Sequence, residues 1–293
     1  MLQCEERTFE VADMQFAAKY WRNPISDADG RSRQRVIALH GWLDNCASFD
    51  FLAPYLEADV LCIDLAGHGQ SGFRQHFGAY NVWLDVPEVA AIADQMGWPT
   101  FDLVAHSRGA CIGYLLASVY PSRVERFFAL DGLFPLIAEP SKVRDQLIHS
   151  LATVKKQLAK KPSVYSSRQA AIKARAGGMF SVTIEEASAL AQRSLEEVDG
   201  GFSWRYDPKV NAPSEMRFTA EQALALGRGI EASVELFMAK GGMLFNNDEF
   251  KALLSNFPQW SQHVLPGGHH FHMSEQGAEL ANTINEYWRN KKA

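Results

Sequence analysis

Three residue types at the ends of three apolar runs have the composition of an acyl-transfer site. Ser107 lies in Leu103-Val104-Ala105-His106-Ser107-Arg108-Gly109-Ala110-Cys111, where an apolar run meets a polar residue and then a small-residue helix. Asp131 closes a second run, Val124 to Leu130, and His269, His270 and His272 follow a third at His263-Val264-Leu265. A serine hydroxyl is a poor nucleophile at neutral pH, so it needs a base within hydrogen-bond reach and a carboxylate to orient that base. All three are present, in the chain order Ser, Asp, His. The oxyanion of such chemistry also needs donors, and the backbone N–H groups of Arg108 and of Trp42, just after His40-Gly41, form the natural pair.

The elements that must position these residues are legible in the same runs. Phe101 to Ala105 reads as a buried strand, and Gly109, Gly113 and Ala117 recur every four residues, which leaves one face of the following helix smooth enough to press on a sheet. The turn between them, His106-Ser107-Arg108, then lifts the serine out at the strand's carboxyl end, as in a G-x-S-x-G elbow whose first glycine is Ala105 here. Val36 to Leu39, Val60 to Ile63, Val124 to Leu130, Val234 to Met238 and His263 to Leu265 are further strands, preceded by a hairpin-like pair at Thr8 to Val11 and Met14 to Trp21. Asn23 to Gln34 is a polar loop. Helical spacing over Ala47 to Leu56, over Val82 to Met96 with a kink or restart expected at Pro87, over Ser107 to Tyr120, over Asn247 to Asn256 and over Glu275 to Trp288 completes an alternation. It implies a mostly parallel eight-stranded sheet with helices on both faces and a ligand site at the strands' carboxyl ends.

Residues 133–229 break that pattern. Leu147 to Lys160, Ser167 to Ala176, Ile184 to Glu197 and Phe218 to Leu226 read as helices with no apolar strand between them. The expected organisation is a core of residues 1–132 and 230–293 carrying a helical cap insertion over 133–229. Gly200 to Pro208 packs aromatics into a turn, so Phe202, Trp204 and Tyr206, with Trp42, are the candidate pocket residues; the same aromatics would also serve as a small core for the cap helices.

The bulk composition narrows the partners. A net charge of -5 over 293 residues argues against a polyanion-binding surface, hence against nucleic acid. Cys4, Cys46, Cys62 and Cys111 are scattered without metal or disulfide spacing, and no run of about 18 apolar residues occurs. The expectation is a cytoplasmic protein with a small-molecule substrate, no membrane partner, no cofactor and no metal; oligomeric state is not legible. A metal read from His269, His270 and His272 is disfavoured, since adjacent residues rarely present both imidazoles to one ion and no nearby cysteine or carboxylate completes a tetrahedral set.

Taken together, His40-Gly41-Trp42, Asp64 to Gly72, the Ser107 elbow and Gly268-His269 with His272 after it resemble the α/β-hydrolase family, in particular its serine hydrolase-like group, over nearly the full length. Arg123-Val124 through Asp131, and Ala239 to Leu244, are similar to the haloalkane dehalogenases, which place the acid after the strand that follows the nucleophile's helix. That resemblance implies Asp131 as the acid. Most relatives carry it after the penultimate strand, but that loop here, Lys240-Gly241-Gly242-Met243, has no carboxylate; Asp248 is the alternative acid. The family's G-H-x-x-H arrangement favours His269 as base, with His270 the alternative. Arg108 is expected in a salt bridge to a neighbouring loop or the cap. A serine in place of the dehalogenases' aspartate nucleophile implies acyl chemistry, with a carboxylic ester as the expected substrate. Carbon–carbon bond hydrolysis, acyl transfer and non-catalytic ligand binding are the alternatives.

Overall fold

The apolar runs become the middle of one sheet, because strands covered on both faces need apolar residues on both. The computed structural model describes residues 3–23, 34–274 and 276–290, so residues 24–33 of the expected polar loop lie outside it. In chain order the strands are β1 (Gln3–Val11), β2 (Met14–Arg22), β3 (Arg35–Leu39), β4 (Asp59–Ile63), β5 (Phe101–His106), β6 (Val124–Leu130), β7 (Leu195–Val198), β8 (Gly201–Trp204), β9 (Ser233–Gly241) and β10 (Ser261–Gly268). Eight of them form a sheet ordered β1-β2-β4-β3-β5-β6-β9-β10, in which β2 runs antiparallel to β1 and β4 and the rest are parallel. Side chains alternate between two cores: Leu103, Ala105, Phe127 and Ala129 face one, while Val104, Phe128 and Leu130 face the other.

Helices α1 (Val82–Gln95) and α2 (Arg108–Val119) cover the first face. The second is covered by α8 (Gln276–Asn290), the last of a series in which α3 (Val143–Ala159), α4 (Arg168–Ala176), α5 (Ile184–Ser194), α6 (Ala220–Gly227) and α7 (Asp248–Leu254) intervene. Two expectations are corrected here. Ala47 to Leu56 is not one helix but two 3₁₀ turns, Cys46–Phe49 and Ala53–Tyr55, because Pro54 supplies no N–H to continue the ladder. Pro87 does not restart α1: one helix runs through it, with the proline leaving a single hydrogen bond of the ladder unmade.

Between β6 and β9 the chain is helical but not free of strands. The expected helix over Ile184 to Glu197 stops at Ser194, and β7 and β8 pair as a hairpin across Asp199-Gly200. Gly200 at φ 83° permits that turn, and Phe202 exchanges hydrogen bonds of 2.8 Å with Tyr165, so β8 is paired on both edges. Thr183 starts α5 with a reciprocal capping box to Glu186. The segment is tied to the strand ends by buried polar contacts: Arg193 Nε to Asp64 Oδ2 at 2.7 Å, Asn45 Nδ2 to Ser194 Oγ at 2.7 Å, and Arg175 to Asp44 Oδ1 at 2.7 Å. No helix among the described residues is long and apolar enough to cross a membrane.

One buried acid gives the fold a pH dependence. Asp102 on β5 accepts from Trp288 Nε1 at 2.7 Å and from Arg126 at 3.2 Å, yet burial pushes its pKa up to about 6. A carboxyl raised above its unfolded value stabilises the fold fully at pH below that value and loses the contribution as pH rises through the folded one. Wild type is therefore expected to lose about 2–3 kcal/mol relative to Asp102→Asn between pH 4 and pH 8. Denaturant unfolding of both proteins across that range checks it, and parallel curves would refute it.

Candidate active site

The Ser107 elbow is built by close packing. Ser107 ends β5 at φ 51° and ψ -114°, a left-handed conformation unusual for a side-chain-bearing residue, and donates its N–H to Leu130 O at 3.0 Å. Such a turn holds only if its neighbours are small. A Cβ on Gly109 would lie 2.1 Å from Leu39 O, and one on Gly132 would lie 2.5 Å from Ser107 O.

Ser107, His269 and Asp131 converge. Ser107 Oγ donates to His269 Nε2 at 3.0 Å, and His269 Nδ1 donates to Asp131 Oδ2 at 2.6 Å. Asp131 is 1% exposed and itself takes a positive φ of 42° just beyond β6. The end of β9 and the loop after it, which has no carboxylate of its own, cradle this one: Ala239 N in β9 donates to Oδ1 at 3.4 Å and Met243 N in the loop to Oδ2 at 2.8 Å. A Cβ on Gly242 would stand 2.3 Å from the same carboxylate, so glycine is what leaves room for it.

Neither alternative joins this chain of hydrogen bonds. Asp248 stands in the first turn of α7 with its side chain 99% exposed, and Asn247 rather than Asp248 caps that helix. Asp248→Ala is accordingly expected to leave turnover within about twofold of wild type in an ester assay, since exposed substitutions away from a site change little. His270 points elsewhere, donating from Nε2 to Asp44 Oδ2 at 3.1 Å.

Asp44 is the centre of a buried network absent from the sequence expectations. Its Oδ1 pairs with Arg175 of α4, while Oδ2 faces His270 and, at 3.8 Å, His106 Nδ1. Burial opposes ionisation of Asp44, but His270, Arg175 and His106 together hold its carboxyl well below the usual carboxylate range. His106 donates from Nε2 to His269 O at 2.9 Å, and burial followed by the neighbouring imidazoles holds it neutral. Burial and His270 likewise hold His272 down to about 3.

Arg108 is the first residue of α2, where a helix leaves its N–H groups without internal acceptors, and Trp42 follows Gly41 at the end of β3. The Arg108 side chain turns away to Asp85 of α1 at 2.8 Å and Tyr80 O at 3.0 Å. A cavity of about 220 Å³ has walls that include Trp42, Leu43, Tyr165, Met179, Trp204 and Tyr206, and Ser107, Asp131 and His269 are not among them. Phe202 is not among its walls, which corrects one expectation: it lies two residues nearer the hairpin turn than Trp204 and is occupied with Tyr165. Phe180, unforeseen from the sequence, lines the cavity and rests its ring 4.9 Å from that of His269. Only the Gly177-Gly178 break after α4 hints at such a loop.

Comparison with known proteins agrees with this architecture. The α/β hydrolase fold family model matches residues 34–164. A hypothetical protein of Pseudomonas aeruginosa superposes with a TM-score of 0.90 at 37% identity, over 97% of this chain and 99% of that one. A serine hydrolase-like protein of Dictyostelium discoideum is 29% identical over 89% of this chain and 75% of its own length. Human serine hydrolase-like protein 2 is 26% identical over 86% of each. The chain has the α/β-hydrolase fold and is similar over most of its length to serine hydrolase-like proteins.

Proposed function

We propose that this protein is a serine hydrolase acting on carboxylic esters through an acyl-enzyme. The observation that carries the reading is the continuous Ser107–His269–Asp131 hydrogen-bond chain at the carboxyl edge of the sheet. Ser107 Oγ attacks the ester carbonyl as His269 Nε2 takes its proton, and Asp131 stabilises the resulting imidazolium. The N–H groups of Trp42 and Arg108 receive the oxyanion. His269 returns the proton to the leaving alcohol, and water, deprotonated by the same imidazole, then releases the acid and regenerates Ser107. The segment 133–229 acts as a cap. Its cavity, walled largely by aromatic and apolar side chains beside Phe180, favours a small apolar group on the ester.

Labelling with a fluorophosphonate, with the modified residue mapped by mass spectrometry, tests this directly. The expected result is one label on Ser107, abolished by His269→Ala and retained in His270→Ala, with a burst of p-nitrophenol from a short-chain p-nitrophenyl ester. Folded protein that takes no label on Ser107 and turns over no ester would overturn the reading and favour a ligand-binding role for the same fold.

A further inference from the structure

Behind the candidate site lies a second cluster of side chains for which hydrolysis has no use. Asp44 after β3, His106 at the end of β5 and His270 after β10 bring one carboxylate oxygen and two ring nitrogens within 4.8 Å of one another. All three residues are buried, at 2%, 0% and 6% exposure. Asp44 Oδ2 is 3.1 Å from His270 Nε2 and 3.8 Å from His106 Nδ1. In a tetrahedral site with bonds of about 2.0–2.1 Å, donors stand roughly 3.3 Å apart; the two carboxylate–imidazole separations are near that, and the two imidazole nitrogens, within 4.8 Å of each other, approach by up to about 1.5 Å to close on one ion.

The surroundings have the pattern of a ligand set. His106 donates its far nitrogen, Nε2, to His269 O, which leaves the Nδ1 lone pair directed towards Asp44; that nitrogen is fully buried and has no hydrogen-bond partner among the described residues. A ligating imidazole is commonly fixed in this way, its other N–H held by a backbone carbonyl. Arg175 binds Asp44 Oδ1 and so orients the carboxylate with Oδ2 towards the two imidazoles. Orphaned buried nitrogens are rare and call for a water or an ion. Two imidazoles and one carboxylate suit Zn²⁺ or a similar divalent transition cation, with a fourth position for water. Asp44 also lines the cavity, which provides the way in. The adjacency argument against a histidine-only site is met by a carboxylate that is distant in sequence and supplied by the fold.

We infer that Asp44, His106 and His270 form a site for a divalent transition cation, and that its occupation inhibits hydrolysis. The inhibitory part rests on His269 acting as the base; the binding does not. His106 Nε2 holds His269 O at 2.9 Å and His270 is the next residue in the chain, so the movement that closes both rings on an ion is passed to His269. A displacement near 1 Å of that imidazole from Ser107 and Asp131 costs about 10²-fold in rate.

The test uses the full chain and Zn²⁺ alone, read by isothermal titration calorimetry and by melting temperature, with Co²⁺ absorption reporting the coordination. Wild type and Ser107→Ala are both expected to bind one Zn²⁺ per chain and to melt higher with it. His270→Gln retains a hydrogen bond to Asp44 but removes the ligand, and it and Asp44→Asn are expected to bind at least about tenfold more weakly. Ester turnover by wild type should fall at least about tenfold at saturating Zn²⁺ and return on chelation. Unaltered binding in both ligand variants, loss of binding in Ser107→Ala, or no stoichiometric binding in wild type would each overturn the site. Full turnover by Zn²⁺-loaded wild type would overturn the inhibitory role.

Discussion

Ser107→Gly is expected to abolish ester hydrolysis and to raise the melting temperature. The loss follows from removing the proposed nucleophile: nucleophile deletions in serine hydrolases cost roughly four to six orders of magnitude in kcat. The gain follows from the backbone. At φ 51° and ψ -114° a residue with a Cβ is strained, at a cost of about 1–3 kcal/mol. Glycine adopts the same conformation freely, although its greater freedom in the unfolded chain offsets about 0.5–1 kcal/mol of the relief. The net is about 1 kcal/mol, or roughly 2 °C for a chain of this size. Ser107→Ala separates the two effects, since it removes the hydroxyl and keeps the strained Cβ: activity falls equally and the melting temperature does not rise. Thermal melts of the three proteins beside a p-nitrophenyl ester assay decide the matter. Equal melting of the glycine and alanine variants would mean that the elbow stores no strain, and surviving hydrolysis would point to another nucleophile.

Asp131→Asn is expected to lower kcat about 10⁴-fold with little change in fold. The asparagine is isosteric, but its amide no longer accepts strongly from His269 Nδ1, which lets the imidazole take the wrong tautomer and leaves the imidazolium uncompensated. The position of the carboxylate is as exposed to perturbation as its charge. Because a Cβ at position 242 would stand 2.3 Å from Asp131 Oδ2, Gly242→Ala is expected to push the acid off His269 and cost about 10²-fold in kcat, the scale of a displacement near 1 Å. Steady-state kinetics on both variants, set beside Asp248→Ala, tests where the acid resides. A wild-type rate in Asp131→Asn would remove Asp131 from that role.

Much of this was legible in the chain itself. The apolar runs Val36 to Leu39, Phe101 to Ala105 and Val124 to Leu130 had one physical use, as strands covered on both faces, and strands alternating with helices leave their polar terminal residues at one sheet edge. Ser107, Asp131 and His269 each stand just past the end of a strand, β5, β6 and β10 respectively, so their convergence followed from topology. Small residues at 109 and 113 marked the helix that had to press on the sheet. Local competition was harder to see: Leu195 to Val198 has spacing that suits a helix as well as a strand, and its antiparallel pairing with Gly201 to Trp204 makes it a strand.

What the tertiary structure alone decided are the contacts between residues far apart in sequence. His269 and His270 are equivalent by composition, and it is the turn after Gly268, with Asp131 waiting on one side and Asp44 on the other, that aims one imidazole at Ser107 and the other away. Gly242 makes sense only beside the carboxylate it accommodates, more than a hundred residues earlier. Phe180 and Arg175 reach the strand ends because the segment between β6 and β9 folds back over them. A sequence states which residues end each strand; which of their atoms come within 3 Å depends on loop conformation and packing, which neither periodicity nor spacing encodes.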